Sequence, residues 1–172
     1  APASFMGDLG NSGMAELATT PLDLLDFLEA YQAELDAGRS GATVFESLST
    51  ILDRSITARA ADLGSTSKRS TLPPQRVRAG ARRLACACVL GQTLSISKPG
   101  STGEGIAPLA ALRGQGPDWS LQEVDQLLSC GLFSSAWVGT VRFTHRRRLD
   151  RLAAEGFHDL LEAGLEVRTL AA

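Results

Sequence analysis

His145 opens a run dense in arginine, and Arg142, Arg146, Arg147, Arg148 and Arg151 gather around it. Imidazole is the side chain that changes charge near neutral pH, and it can donate to an anionic oxygen. Guanidinium groups carry a fixed charge and pair with carboxylates and phosphates. At a helix start, exposed N–H groups and the helix dipole add to the attraction for anions. Such a cluster can serve as a patch that neutralises DNA phosphates and binds with steep salt dependence. Arg147, Arg148 and Arg151 cannot all share one helix face, which counts against a single-groove patch.

Self-contained catalysis has little to stand on. The chain holds no G-x-x-x-x-G-K-[ST] or G-x-G-x-x-G loop, no H-E-x-x-H and no G-x-S-x-G elbow. Its histidines are His145 and His158. Asp23 and Asp26 lie three apart, near one helix face, and read as surface carboxylates in a first turn, where they suit the dipole. Cys86, Cys88 and Cys130 are an odd set with no C-x-x-C pair. They suggest buried thiols in a reducing compartment rather than disulfides or a zinc site. No catalytic residue and no metal ligand is expected, and this chain alone reads as no enzyme.

The elements that must position His145 are legible nearby. Ser120 and Glu123 form S-x-x-E, a capping box, before Leu121, Val124, Leu127 and Leu128 at helical spacing. Gly131 can adopt the left-handed conformation that stops such a helix. Val138, Val141 and Phe143 flank Gly139-Thr140, which suits a short hairpin. Helical spacing then resumes at His145, with Leu149, Leu152 and Ala153 inward. Helix, stop, hairpin, helix is the order of a winged-helix unit.

Upstream, residues 1–13 read as a flexible tail. Pro21 opens a helix to about Asp36, with Leu22, Leu25, Phe27, Leu28, Tyr31 and Leu35 as an apolar stripe. Thr43-x-x-Glu46 is a second capping box, for a helix whose core side is Val44, Phe45, Leu48, Ile51, Leu52 and Ile56. Residues 62–72 read as a polar, moving linker. Pro73-Pro74 starts a third helix that ends near Gly91, and Thr93–Ser97 suits one short strand. The Gly- and Pro-rich stretch 98–117 reads as loop, with a turn of helix at Ile106–Leu112. The expected class is mainly α: a tail over 1–13, a helical domain over 14–97, a linker over 98–117 and a winged-helix domain with a short β-hairpin over 118–172.

Composition limits the partners. At 172 residues the chain makes one domain or two small ones. Hydrophobic residues are 44% and charged residues 21%, ordinary for a soluble globular protein. Net charge is -2, so bulk charge attracts no polyanion. Fifteen arginines against two lysines carry little weight, since base composition alone produces such a bias. No apolar run reaches the roughly 18–20 residues that span a bilayer. The first residues, APASFMGDLGNSGM, lack a basic region and a long apolar core and do not read as a signal peptide. A cytoplasmic protein without membrane contact is expected. The missing initial Met suggests processing or a piece of something longer.

The run DWSLQEVDQLLSCGLFSSAWVGTVRFTHRRRLDRLAAE resembles the winged-helix end of bacterial NACHT-type STAND ATPases. The matching positions are Trp119-Ser120, Glu123, Leu127-Leu128, Gly131-Leu132-Phe133, Gly139, Val141-Arg142-Phe143, His145-Arg146 and Leu152-Ala153-Ala154. Leu17–Leu24, LATTPLDL, resembles the same family's helical domain, so the likeness covers about residues 15–160. It implies that Pro21 packs on the adenine of a nucleotide. It implies that His145 reaches the β-phosphate of ADP and holds a closed state. Two departures stand out. Asp150-Arg151 replaces the family's Glu-Tyr. The phosphate-binding loop and its acidic partner strand are absent and would lie before residue 1. ATP or ADP would then be bound only with a nucleotide-binding core from the same or another chain, and assembly into a homo-oligomer would follow activation. Two other readings remain: a DNA-binding winged-helix regulator and a ligand-free interaction module.

Overall fold

The computed structural model describes residues 2–18, 21–46, 48–61, 72–113 and 118–164. Among them the chain is mainly α-helical, with seven α-helices and one antiparallel sheet of three strands. It divides into two compact units, 1–58 and 59–172. Of the expected linker over 62–72, residues 62–71 lie outside the described residues, and Leu72 is buried.

The first unit holds α1 (Pro2–Asn11), α2 (Pro21–Asp36) and most of α3 (Leu48–Ala61), with 3-10 turns at Met14–Leu17 and Gly41–Glu46. The expected tail is therefore a helix. Phe5 and Leu9, four apart, fall on one face of α1 and enter the core, which outweighs the helix-weakening Gly7 and Gly10. Phe5 meets Tyr31 edge-on at 5.3 Å between ring centroids, and Tyr31 stacks on Phe45 at 5.8 Å. The Tyr31 hydroxyl donates to Asp8 Oδ2 at 2.7 Å. Gly41 lies so close to the Tyr31 ring that any Cβ there would collide with it.

Two expectations for this unit need correction. Thr43 caps no helix: it sits inside the 3-10 turn, and its hydroxyl donates to the Ser40 carbonyl at 2.7 Å. Of the expected α2 stripe, Phe27 and Tyr31 are buried, but Leu25, Leu28 and Leu35 are not. Asp23, Asp26, Phe27, Ala30, Tyr31 and Glu34 are buried, while Leu24, Leu25, Leu28 and Leu35 are exposed. Asp23 and Asp26 are thus not surface groups. Polar and apolar residues follow the same helical spacing here, and the core takes the aromatic-bearing face.

The second unit contains α4 (Pro74–Leu90), β1 (Ile96–Ser97), α5 (Pro108–Ala111), α6 (Leu121–Leu128), β2 (Phe133–Ser135), β3 (Thr140–Phe143) and α7 (Arg146–Glu162). Helix, strand, two helices, two strands is a winged-helix order, with the sheet arranged β1-β3-β2. α4 and β1, assigned from sequence to the helical domain, therefore belong with the hairpin. Ile96 pairs with Val141, Phe133 with Phe143, and all four side chains are buried. Part of the expected loop 98–117 folds back on β1, where Ile106 N–H donates to the Ser95 carbonyl at 2.8 Å.

α4 packs along α7, burying Val77, Gly80, Ala81, Leu84, Ala85 and Cys88 against it and its neighbours. The expected capping box is present: Ser120 accepts from Glu123 N–H, and Glu123 accepts from Ser120 N–H. Arg76 ties this cap to α4. Its guanidinium lies 4.4 Å over the Trp119 ring, and its Nε donates to Glu123 at 2.8 Å. Gly131 does not adopt the left-handed conformation; the chain leaves α6 through ordinary helical backbone at Ser129. Leu121 points outward, 60% exposed, leaving Val124, Leu127 and Leu128 as the inner stripe. None of the three cysteines is in a disulfide, and all are buried.

Candidate functional site

His145 lies where β3 hands over to α7. Thr144 fixes the joint: its N–H donates to the Leu132 carbonyl at 2.9 Å, and its hydroxyl accepts from Arg148 Nη1 at 2.9 Å. His145 itself is extended, with φ -144 and ψ 134, and is the N-cap of α7. Its Nδ1 accepts from the Arg147 N–H at 3.1 Å. That bond sets the tautomer. With Nδ1 accepting, the proton of the neutral ring sits on Nε2, which becomes a donor. α7 is 17 residues long and has no acid in its first turn. Arg146, Arg147 and Arg148 fill that turn instead, with the wrong sign for the dipole. An added anion would relieve that repulsion.

The five arginines do not form one surface. Arg148 is 1% exposed, the largest fully buried side chain among the described residues. It lies four residues before Leu152 and faces the same way, so the core takes it. Arg151 turns to Glu155 at 3.0 Å. Glu155 also receives Arg78 at 2.6 Å and Arg82 at 2.7 Å. Burial pushes the Glu155 carboxyl up, but Arg78 and then Arg82 outweigh it and hold the group below its ordinary range. Arg146 pairs with Asp150 at 2.8 Å. Arg142 and Arg146 alone meet, at a small cavity of about 210 Å³ beside Phe143, Thr144 and Leu149. Pro21 begins α2 in the first unit and is exposed; His145 belongs to the second.

The helix that a winged-helix DNA reader would lay in the major groove is α6. Its outward residues are Leu121, Gln122 and Asp125, and it carries no Lys or Arg. A carboxylate there repels phosphate, and nothing on the helix supplies the counter-charge that drives DNA binding.

Sequence reasoning missed two features. Trp137 and Val138 are 83% and 99% exposed at the tip of the β2–β3 hairpin. The tip is braced: the Gly139 carbonyl accepts from Lys98 N–H at 2.8 Å and from the Ser101 hydroxyl at 2.7 Å. Two large apolar residues in a turn break the rule that turns are polar, and that signal was available. The second is a trio near the end of α7. His158, Asp159 and Glu162 bring their ligand atoms within 4.8 Å of one another. All three are exposed and Asp159 is engaged by Arg82 at 2.8 Å, which makes them a weak cation holder.

Among the described residues no helix is long and apolar enough to cross a membrane. In comparisons with known proteins, no family model, no curated protein and no solved structure matches this chain.

Proposed function

We propose that this chain is the regulatory part of a STAND-type signalling NTPase, a cytoplasmic switch whose winged helix holds an ADP-bound core closed. The observation that carries the reading is the His145 cap. Its Nδ1 is committed to the backbone at 3.1 Å, which makes Nε2 the donor, at the start of a long helix with no acid in its first turn. A donor so placed suits a terminal phosphate oxygen of ADP. The resemblance over residues 15–160 supports the same reading and adds Pro21 as the adenine contact. A nucleotide-binding core from the same or another chain supplies the grip on phosphate. The switch works because ADP favours the docked state over the released one. Oligomer assembly belongs to the released state.

The test is ADP release from the chain combined with a nucleotide-binding core of that family. His145→Ala and His145→Asn are compared with the parent. Asn restores a helix cap but not the Nε2 donor. ADP release about tenfold faster in both variants is the expected result, the equivalent of about 1.4 kcal/mol. Unchanged release in both would end the nucleotide-sensor reading. The exposed Trp137 and Val138 favour the interaction module as the second reading, which predicts no effect of either substitution. The DNA-binding reading is disfavoured by the acidic α6.

A further inference from the structure

The buried residues of α7 are Arg148, Leu149, Leu152, Ala153 and Gly156, and Arg148 is the one that carries a charge. Burying a guanidinium is costly unless its N–H groups are bonded, so where those bonds go matters. Arg148 Nη1 donates to Thr144 Oγ1 at 2.9 Å. Side chains on a helix run back toward its start, and this one passes the His145 cap to reach the residue in front of it. Thr144 carries the restraint onward. Its hydroxyl donates to the Leu132 carbonyl at 3.3 Å, and its N–H donates to the same carbonyl at 2.9 Å. In a capping box the third helical residue is an acid that accepts the N–H of the cap residue, as Glu123 does for Ser120. Arg148 holds that third position in α7 and, being a donor, reaches one residue further back. His145 is thus set between a Thr144 tied to Leu132 and Arg148 on one side and the Arg147 N–H on the other.

We infer that Arg148 is a positioning residue for His145. Acting through Thr144, it keeps Nδ1 on the Arg147 N–H and so leaves Nε2 as the donor. The use of that donor for phosphate rests on the nucleotide reading. A purely structural Arg148 would hold the whole start of α7 alike, whereas a positioning one holds the imidazole in particular.

Amide hydrogen exchange of the intact chain separates the two. The Arg147 N–H reports on the imidazole, and the Leu149 N–H, which donates to the His145 carbonyl at 3.2 Å, reports on the helix start. Thr144→Val removes the hydroxyl that Arg148 bonds to, and Arg148→Met keeps an unbranched side chain in the core without the guanidinium. In both, exchange at Arg147 is expected to quicken about tenfold, the loss of one hydrogen bond, with Leu149 unchanged. Thr144→Ser restores the hydroxyl and is expected to keep the parent rate. Should Arg148→Met fail to fold, Thr144→Val against Thr144→Ser decides. An unchanged Arg147 rate in Thr144→Val, or equal acceleration at Arg147 and Leu149, would overturn the inference. ADP release, measured with a nucleotide-binding core, is expected to quicken about tenfold in both His145→Ala and Thr144→Val. Acceleration by His145→Ala alone would also overturn the inference. Release unchanged by His145→Ala would instead end the nucleotide reading, with the exchange rates still deciding the positioning.

Discussion

His145 caps the start of α7 by accepting the Arg147 N–H at its Nδ1, 3.1 Å away. Caps of this kind are worth about 1 kcal/mol, so His145→Ala is expected to lower stability by about that much in urea unfolding, and His145→Asn to recover most of it. This stability effect separates the cap from any nucleotide contact, which Asn does not restore. Arg148 behaves differently from the arginines beside it. Its side chain is buried and bonded to Thr144 at 2.9 Å. Arg148→Ala is expected to cost about 2–5 kcal/mol, as other large-to-small core changes do. Arg142→Ala, on the exposed face of β3, should leave the melting temperature unchanged. Equal effects at the two positions would mean that the burial assigned to Arg148 is wrong. The sequence made the arginine types plain but not their directions. The register was nonetheless present: once Leu149, Leu152 and Ala153 are taken as inward, residue 148 shares their stripe.

Elements were legible where a local signal names them. The Ser120–Glu123 box, the proline starts of α2 and α4, and the hairpin around Gly139 all follow from short-range chemistry. Elements set by distant packing were not. α1 contains two glycines, and only Phe5 and Leu9 meeting Tyr31 and Phe45 from later in the chain make it a helix. The same limit explains why α4 and β1 were separated from the hairpin they pack with. Among the described elements, α4 and α7 share the most extensive contact. Gly156 sits there because a Cβ would come within 2.5 Å of Cys86 Sγ and 3.2 Å of the Arg82 carbonyl. Alanine is the better helix former by about 1 kcal/mol, so only packing keeps glycine at this position. Gly156→Ala is expected to destabilise the second unit by about 1–3 kcal/mol despite its propensity. The double variant Gly156→Ala with Cys86→Ala should be less destabilised than the two single costs sum to, because the collision partner is gone. Additive costs in a denaturation cycle would show that the glycine serves some other purpose.

At the scale of the whole chain, composition gave the class and the modest net charge but not the division at 58/59, which depends on which helices share a core. It also hid the carboxylates inside the first unit. Glu34 is 2% exposed, and the Arg39 fork, with Arg54 beside it, holds its carboxyl down at about 2 against an ordinary 4.5. A carboxylate held low in the folded state stabilises that state above its unfolded pKa and loses the contribution as pH falls through the folded one. The first unit should therefore weaken between about pH 4.5 and pH 2. The second unit has the same sign of dependence. The Ser120 N–H and then Arg76 hold Glu123 low, and Arg78 and Arg82 overcome the burial of Glu155. The chain carries its own reporters for telling the units apart. Its one tyrosine, Tyr31, lies in the first unit; its two tryptophans, Trp119 and Trp137, lie in the second. Glu34→Gln removes the titrating group while keeping the side-chain shape. In acid-dependent urea unfolding, this variant should be less stable than the parent at neutral pH. It should flatten the pH dependence of the Tyr31 near-ultraviolet signal below pH 4.5 and leave the tryptophan curve where it was. A Tyr31 curve that stays steep in the variant would show that Glu34 is not the source of the first unit's acid sensitivity.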